Sequence, residues 1–222
     1  MTLKINQRIN IALIVAVVFH IIGWIGIINN SDWVMKSSAL NLSLMFLLLL
    51  FTEEKLNNRF WWSFLCLFSI GMIAEMIGTN TGLLFGDYKY KSTLGPAVYE
   101  VPWIIGINWF LVVYGSYSIV HTIAEKWFPN DMGKPMLRIF AIAIDTALLT
   151  CFFDWIMEPV AVYLDFWTWT DGIIPNYNYL CWFLISLLMA LLLSVFKKTP
   201  NSFAVHLFWI QTLFFLSLRN MI

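Results

Sequence analysis

Residues 9–28 read INIALIVAVVFHIIGWIGII, twenty residues without Asp, Glu, Lys or Arg. An α-helix rises 1.5 Å per residue, so about 20 apolar residues cross the roughly 30 Å hydrocarbon core of a bilayer. Runs of similar character recur along the chain. We therefore predict an all-α, polytopic integral membrane protein with about seven transmembrane helices, at residues 9–28, 33–51, 60–77, 101–121, 136–157, 178–196 and 203–219.

The composition leads to the same prediction. Of 222 residues, 60% are hydrophobic and 12% charged, and the mean hydropathy is +0.77. Soluble domains carry roughly 25% charged residues, so lipid must be the main solvent here, and we expect residues 1–222 to form a single membrane-embedded domain. The formal net charge is zero, which argues against nucleic acid as a partner, because phosphate binding needs clustered Lys and Arg.

The distribution of Lys and Arg predicts the orientation, because such residues favour cytoplasmic loops. With the N-terminus inside, the outer segments hold four cations, Lys36, Lys89, Lys91 and Arg219. The inner segments hold nine, namely Lys4, Arg8, Lys55, Arg59, Lys126, Lys134, Arg138, Lys197 and Lys198. We expect a cytoplasmic N-terminus and an external C-terminus, in a bacterial cell membrane.

Two long connections fall on the same outer side in this topology, at residues 78–100 and 158–177. Both are rich in Gly, Pro, Tyr and Trp, and loops of this size are usually functional or disordered. Their aromatic content favours an ordered lid that folds over the membrane interface.

Each of these connections carries a pair of aromatic residues at alternate positions, Tyr88 with Tyr90 and Trp167 with Trp169. In an extended backbone both members of a pair point the same way. Aromatic faces attract cations, so the pairs either line a site that stabilises a carbocation or anchor the loops among lipid headgroups.

Acidic residues near the outer ends of helices are the candidate catalytic groups. Glu75 and Asp154 lie on the third and fifth predicted helices, which run in the same direction, and Glu158 follows Asp154 by one turn. These acids either share a pocket or are solvated among headgroups. Asp145 precedes Asp154 by nine residues, about 13 Å deeper and half a turn away, so we expect it outside the pocket.

Buried carboxyl groups suit acid catalysis, because a low dielectric favours the protonated form and a neighbouring carboxyl reinforces that preference. Other chemistries lack their usual motifs. The sequence contains neither an H-x-x-x-H box nor a G-x-x-x-x-G-K-[ST] loop. We predict no metal and no cofactor.

The segment from Glu75 to Pro96 fits E-x-x-G-x-x-T-G-x-x-F-G-x-Y-x-Y-x-x-x-L-G-P and resembles the signature of the membrane carotenoid-biosynthesis hydratases. The resemblance extends over roughly residues 71–190. Further blocks that fit are Val101-Pro102, Asn108-Trp109, Asp154-x-x-x-Glu158-Pro159-Val160-Ala161, Trp167-x-Trp169 and Pro175-x-x-Asn178-Tyr179-x-x-Trp182. Two positions depart from the pattern: Glu158, where Asp is more frequent, and Cys181, where Gly usually precedes the Trp.

The resemblance implies addition of water across the terminal double bond of an acyclic (ψ) carotenoid end, with carotenoid, water and membrane lipid as partners. It implies catalytic roles for Glu75, Asp154 and Glu158. Glu75 and Asp154 would be the acid and its partner, while Glu158 and Asn178 would position water. The substrate-binding residues would be Tyr88, Tyr90, Asn108, Trp109, Trp167, Trp169, Asn178 and Trp182. Two alternatives remain, a lycopene-cyclase-like enzyme and a non-catalytic protein that binds or transports carotenoid or lipid.

Overall fold

The computed structural model describes residues 3–128, 135–196 and 200–222. Within those ranges the chain forms helices α1 (Ile5–Ile28), α2 (Asp32–Lys36), α3 (Ser38–Thr52), α4 (Asn58–Thr81), α5 (Ile104–Trp127), α6 (Pro135–Tyr163), α7 (Asn176–Phe196) and α8 (Ser202–Arg219). Short strands lie between the helices: β1 (Tyr88–Tyr90), β2 (Ala97–Val98), β3 (Val101–Pro102) and β4 (Trp167–Trp169).

Six helices in this part of the chain are long and apolar enough to cross a membrane: α1, α4, α5, α6, α7 and α8. The prediction of an all-α, polytopic membrane protein is confirmed. The predicted second span, 33–51, is wrong in its extent, because the chain breaks at Ser37 into α2 and α3. The hydroxyls of Ser37 and Ser38 donate to the backbone carbonyls of Val34 and Met35 at 2.7 Å. The 15 residues of α3 cover only about 22 Å.

The helices also extend further into the predicted outer loops than expected. α4 continues to Thr81 and α6 to Tyr163, so the first residues of both predicted loops are helical. α6 passes through Pro159, which has no N–H to donate to the carbonyl of Trp155. Arg219 at the end of α8 supplies the missing donor, because its Nη1 lies 2.6 Å from that carbonyl oxygen. The guanidinium also lies 3.9 Å from the centre of the Trp155 ring.

α5 is the central helix of the bundle. It packs against α3, α4, α6, α7 and α8, and 83% of its most apolar stretch is buried inside the protein. α1 lies at the periphery, against α3 and α8, with only 22% of the corresponding stretch buried. Lipid therefore covers most of α1, whereas α5 presents its side chains to other helices.

The aromatic-rich segments fold into a small cap over one end of the bundle. β1 pairs with β4 in antiparallel fashion, with Tyr88 opposite Trp169 and Tyr90 opposite Trp167. β2 and β3 form a hairpin. The expectation of an extended backbone at both aromatic pairs is confirmed, and the two Trp side chains are buried, at 6% and 7% exposure. We refer to residues 82–103 and 164–175 as the cap.

At the opposite end of the bundle, a buried acid that we did not predict from the sequence connects α3, α5 and the start of α8. Glu53, at the end of α3, accepts hydrogen bonds from the Tyr114 hydroxyl at 3.2 Å and the Asn201 Nδ2 at 2.9 Å. Asn201 also caps α8, its Oδ1 accepting from the Ala204 backbone N–H at 3.0 Å. In the sequence Glu53 is followed by Glu54 and Lys55, a charged run that is typical of a solvated turn, so nothing in the sequence indicates its burial.

The predicted orientation of the chain in the membrane stays a prediction. Three of the lysines on which it depends, Lys134, Lys197 and Lys198, lie outside the described residues.

The contact between Arg219 and the Trp155 carbonyl yields a testable prediction. Arg219→Gln should lower the free energy of unfolding by about 1 kcal/mol, since a carbonyl without a helical donor loses its partner. In a Pro159→Ala background the loss should be smaller, because alanine at this position restores the backbone donor. Unfolding of the four proteins in one detergent gives the double-mutant cycle. Equal losses in both backgrounds would contradict this explanation of how α6 accommodates its proline.

Candidate active site

Three acidic side chains are buried together beneath the cap. Glu75 on α4 is 4% exposed, and Asp154 and Glu158 on α6 are 0% and 2% exposed. The expectation that all three lie at one end of the bundle is confirmed. Residues of the cap donate to Glu75 and Glu158, and Asn178, at the adjacent start of α7, donates to Asp154. Asp145 is exposed on another face of α6 and lines a separate groove with α5. It lies away from these acids, as expected.

Glu75 is held by three hydrogen-bond donors. Its Oε2 accepts from the hydroxyl of Tyr88 and, at 2.8 Å, from that of Tyr90. Its Oε1 accepts from Trp109 Nε1 at 2.9 Å. Burial is the main cause that raises the pKa of both tyrosines, and the negative charge of Glu75 is the second. Both phenols therefore stay protonated and act as hydrogen-bond donors. Both carboxyl oxygens are therefore fixed by β1 and α5.

Two glycines on α4 make this arrangement possible. A Cβ at Gly78, one turn after Glu75, would lie 2.9 Å from the Tyr88 hydroxyl. A Cβ at Gly71 would lie 2.6 Å from the ring of Trp109. The glycine that follows Glu75 by three residues in the quoted pattern thus leaves space for a donor to reach the carboxyl group.

Glu158 is held by the other strand of the cap. The indole Nε1 atoms of Trp167 and Trp169 each donate to its Oε2 at 3.1 Å. Asn178 on α7 donates weakly to Oε1, at 3.4 Å, and more closely to Oδ2 of Asp154, at 2.9 Å. The amide of Asn178 therefore connects the two acids of α6.

Asp154 differs from the other two acids. Its Oδ1 is buried and has no hydrogen-bond partner among the residues that the structure describes. It has one side-chain donor, Asn178, whereas Glu75 and Glu158 have three each. It therefore has the least support for a negative charge.

A cavity of about 20 Å³ lies between Glu75 and Glu158. The predicted residues that line it with them are Tyr88, Tyr90, Trp167, Trp169, Asn178 and Trp182. A cavity needs a volume of about 10–15 Å³ to hold one water molecule, so this cavity has room for one. Asp154 is not among the lining residues and contacts the cavity wall through Asn178. Trp109 does not line the cavity either, but it contacts two residues that do, Glu75 and Trp182. We refer to this space as the acid cavity.

Aromatic rings form most of the acid cavity's wall. Tyr88 packs against Trp169 with ring centres 5.1 Å apart, and Tyr90 against Trp167 at 5.6 Å. Trp182 stacks on Trp109 at 3.8 Å, with 16° between the ring planes. The predicted aromatic pairs thus face the acids rather than the headgroups.

Phe85 also lines the acid cavity and was missed as a site residue. It is buried with a positive φ of 65°, a conformation that is costly for a bulky side chain. Its backbone N–H lies 3.3 Å from Sγ of Cys181, so the unusual cysteine contacts this turn. The signal was present, since Phe85 is the phenylalanine of the quoted pattern.

A second, larger cavity adjoins the acid cavity. It has a volume of about 260 Å³, is mostly apolar, and is lined by residues of α1, α2, α3, α5, α6, α8 and the cap. Trp167 lines both cavities and therefore separates them. Asn108, a predicted substrate-binding residue, lines this larger space instead of the acid cavity. His20 and Gln211 line it too, outside the region of the quoted motifs. We call it the apolar cavity.

No metal centre accompanies these acids: within residues 3–128, 135–196 and 200–222, no group of three or more His, Cys, Asp or Glu side chains is placed to hold a metal ion.

Comparisons with known proteins identify the family. Over 124 residues the chain is 27% identical to the bisanhydrobacterioruberin hydratase of Haloarcula japonica, a match that covers 54% of this chain and 39% of that protein's length. The chain thus spans well under half of this relative. No solved structure matches. The family model described as carotenoid biosynthesis protein matches residues 34–222, which include α3 to α8, the cap and all three acids. The chain therefore belongs to the carotenoid biosynthesis protein family.

Proposed function

We propose that this protein hydrates a carotenoid, adding water across the C1,2 double bond of an acyclic end group to give a tertiary alcohol. The observation that carries the proposal is that Glu75 and Glu158 line one aromatic-walled cavity with room for a single water molecule. Hydration needs a proton donor, a protected cation, one water and a base. This end of the bundle supplies groups of each kind.

The proton comes from Glu158, whose Oε1 has only the 3.4 Å contact with Asn178 and can carry it. It is transferred to C2 of the alkene. The π electrons form the new C–H bond, which leaves a tertiary cation at C1. Aromatic faces attract cations, so the walls of the acid cavity stabilise this intermediate together with the carboxylate of Glu75. No electrons are gained or lost overall, and no redox cofactor is required.

Glu75 is the base. Both of its carboxyl oxygens accept close hydrogen bonds, whereas Oε1 of Glu158 has only the 3.4 Å contact, so the ionised form is better supported at Glu75. Glu75 accepts a proton as the water oxygen bonds to C1. That proton returns to Glu158 through the next water that enters the acid cavity. These assignments revise the pair expected from the sequence, because Asp154 does not line the acid cavity. Asp154 acts instead through Asn178, which it holds beside Glu158.

The apolar cavity supplies the route for the substrate. Its lining is predominantly hydrocarbon and aromatic, and it reaches Trp167, the wall of the acid cavity. An apolar chain in this space places its end group against Trp167, and a movement of that side chain admits the double bond to the acids. The narrow acid cavity then limits the water available to the cation.

The first test replaces the two lining acids. Glu75→Gln and Glu158→Gln keep the size of the side chain but cannot exchange protons, and each should reduce hydration by about 10²–10⁴-fold. The matched control is Asp145→Asn, which makes the same change on α6 outside the site and should leave conversion near wild type. The variants are expressed in lycopene-accumulating bacteria, with membrane levels checked and pigments separated. Near-normal conversion by both Gln variants would contradict the assignment.

Asp154→Asn separates the revised acid pair from the original one. If Asp154 only positions Asn178, its loss should reduce conversion by about tenfold or less, the effect of weakening one buried hydrogen bond. A loss as deep as that expected for Glu158→Gln, with Glu158→Gln itself mild, would restore Asp154 as the partner of Glu75 in the acid pair.

A further inference from the structure

The apolar cavity contains polar side chains that a pure hydrocarbon would not satisfy. His20 on α1, Asn41 on α3 and Gln211 on α8 all line it, although His20 and Gln211 are only 7% and 6% exposed. They belong to three different helices, and all three side chains line the same cavity. Polar groups buried without partners are costly, so their presence in a cavity for an apolar ligand needs an explanation.

The hydrogen bonds of these residues leave most of their capacity unused. Within the ranges that the structure describes, the side-chain amides of Asn41 and Gln211 make no hydrogen bond, and the Oδ1 of Asn41 is a buried acceptor without a partner. By contrast, the hydroxyls of Ser37 and Ser38 in the same wall are satisfied by backbone carbonyls. Unused hydrogen-bonding groups are therefore not general to the wall, since its serine hydroxyls have partners; the amide of Asn108 on α5 lines the same space and also makes no side-chain hydrogen bond within the described ranges.

His20 indicates what kind of group would bind. Its Nδ1 lies 2.7 Å from the Ala16 backbone oxygen, which can only accept, so Nδ1 carries the hydrogen. In the neutral ring Nε2 is then an acceptor. The ring is held edge-on against Phe214 at 5.3 Å, and Phe214 lies on the same face of α8 as Gln211, three residues away. An acceptor beside an amide, which can donate or accept, matches a hydroxyl group better than a ketone or an ether.

We infer that His20, Asn41 and Gln211 form a subsite that binds a hydroxyl group carried by the isoprenoid chain in the apolar cavity. The inference rests on the proposed function, which places a carotenoid end in this space. An unsubstituted polyene would expel water from these groups and leave them unpaired. A chain with a hydroxyl in this region gives them a partner, so the subsite favours isoprenoids that already carry oxygen, while hydrocarbons such as lycopene still enter the apolar cavity and bind more weakly.

Short isoprenoids that share one dimethylalkene end test the subsite without depending on catalysis. The probes are geraniol, geranyl methyl ether and 2,6-dimethyl-2,6-octadiene, which present a hydroxyl, an ether oxygen and no oxygen. Binding to the purified protein in nanodiscs is measured from the shift of the unfolding temperature across a concentration series. Empty nanodiscs correct for partition into lipid. We expect the alcohol to bind up to about tenfold more tightly than the ether and the hydrocarbon, as one neutral hydrogen bond allows.

Variants then assign the preference to these residues. Gln211→Leu and His20→Phe should each abolish the difference between alcohol and ether while retaining hydrocarbon binding. Asp145→Asn, in the groove on the other side of the bundle, should preserve it. Equal binding of the three probes by the wild type, or an unchanged preference in both subsite variants, would overturn the inference. Hydration of lycopene is assayed on the same preparation. Hydration without alcohol preference refutes only the subsite, and alcohol preference without hydration refutes only the proposed reaction.

Discussion

The site depends on hydrogen-bond donors that offset the cost of burying carboxyl groups at the end of a membrane helix bundle. Glu75, Asp154 and Glu158 are almost fully buried, and no ion pair to any of them occurs in the part of the chain that the structure describes. A buried acid without a cation needs hydrogen-bond donors. The cap supplies four of them from two paired strands, the hydroxyls of Tyr88 and Tyr90 and the indoles of Trp167 and Trp169. The β1–β4 register therefore determines where these four donors lie.

The same contacts connect the fold to the proposed reaction. Because Tyr88 faces Trp169 and Tyr90 faces Trp167, one sheet directs its donors to an acid on α4 and to an acid on α6. Only a small cavity is left between them. The two helices could not bring these acids together alone, since burying them unpaired would be unfavourable. On the other side of Trp167 lies the larger, mostly apolar cavity. The acid cavity and the apolar cavity thus share Trp167 as a wall.

Much of this arrangement was predictable from particular residues. Helix direction placed Glu75 and Asp154 at one end, and the alternation of Tyr88-x-Tyr90 and Trp167-x-Trp169 indicated extended segments facing one way. Other features depended on long-range contacts that no local pattern reveals. The pairing of β1 with β4 joins segments about 80 residues apart, and the donation from Arg219 to Trp155 that accommodates Pro159 joins two helices. Asn178 lines the acid cavity, and Asp154, to which it donates, does not. Hydropathy cannot predict which of these two side chains reaches the cavity. Hydropathy also overestimated the second span, because Ser37 interrupts an otherwise apolar run.

The central claim is that water adds across a carotenoid double bond at the acid cavity. The most direct measurement incubates the purified protein with lycopene in water enriched in both ¹⁸O and deuterium, followed by mass spectrometry of the product. The account predicts one ¹⁸O at C1 and one deuterium at C2 in each hydrated end. A cyclised product with deuterium but no ¹⁸O would favour the cyclase alternative. Carotenoid that is bound but recovered unchanged and unlabelled would favour a non-catalytic binding protein, and either result would contradict the proposed hydration.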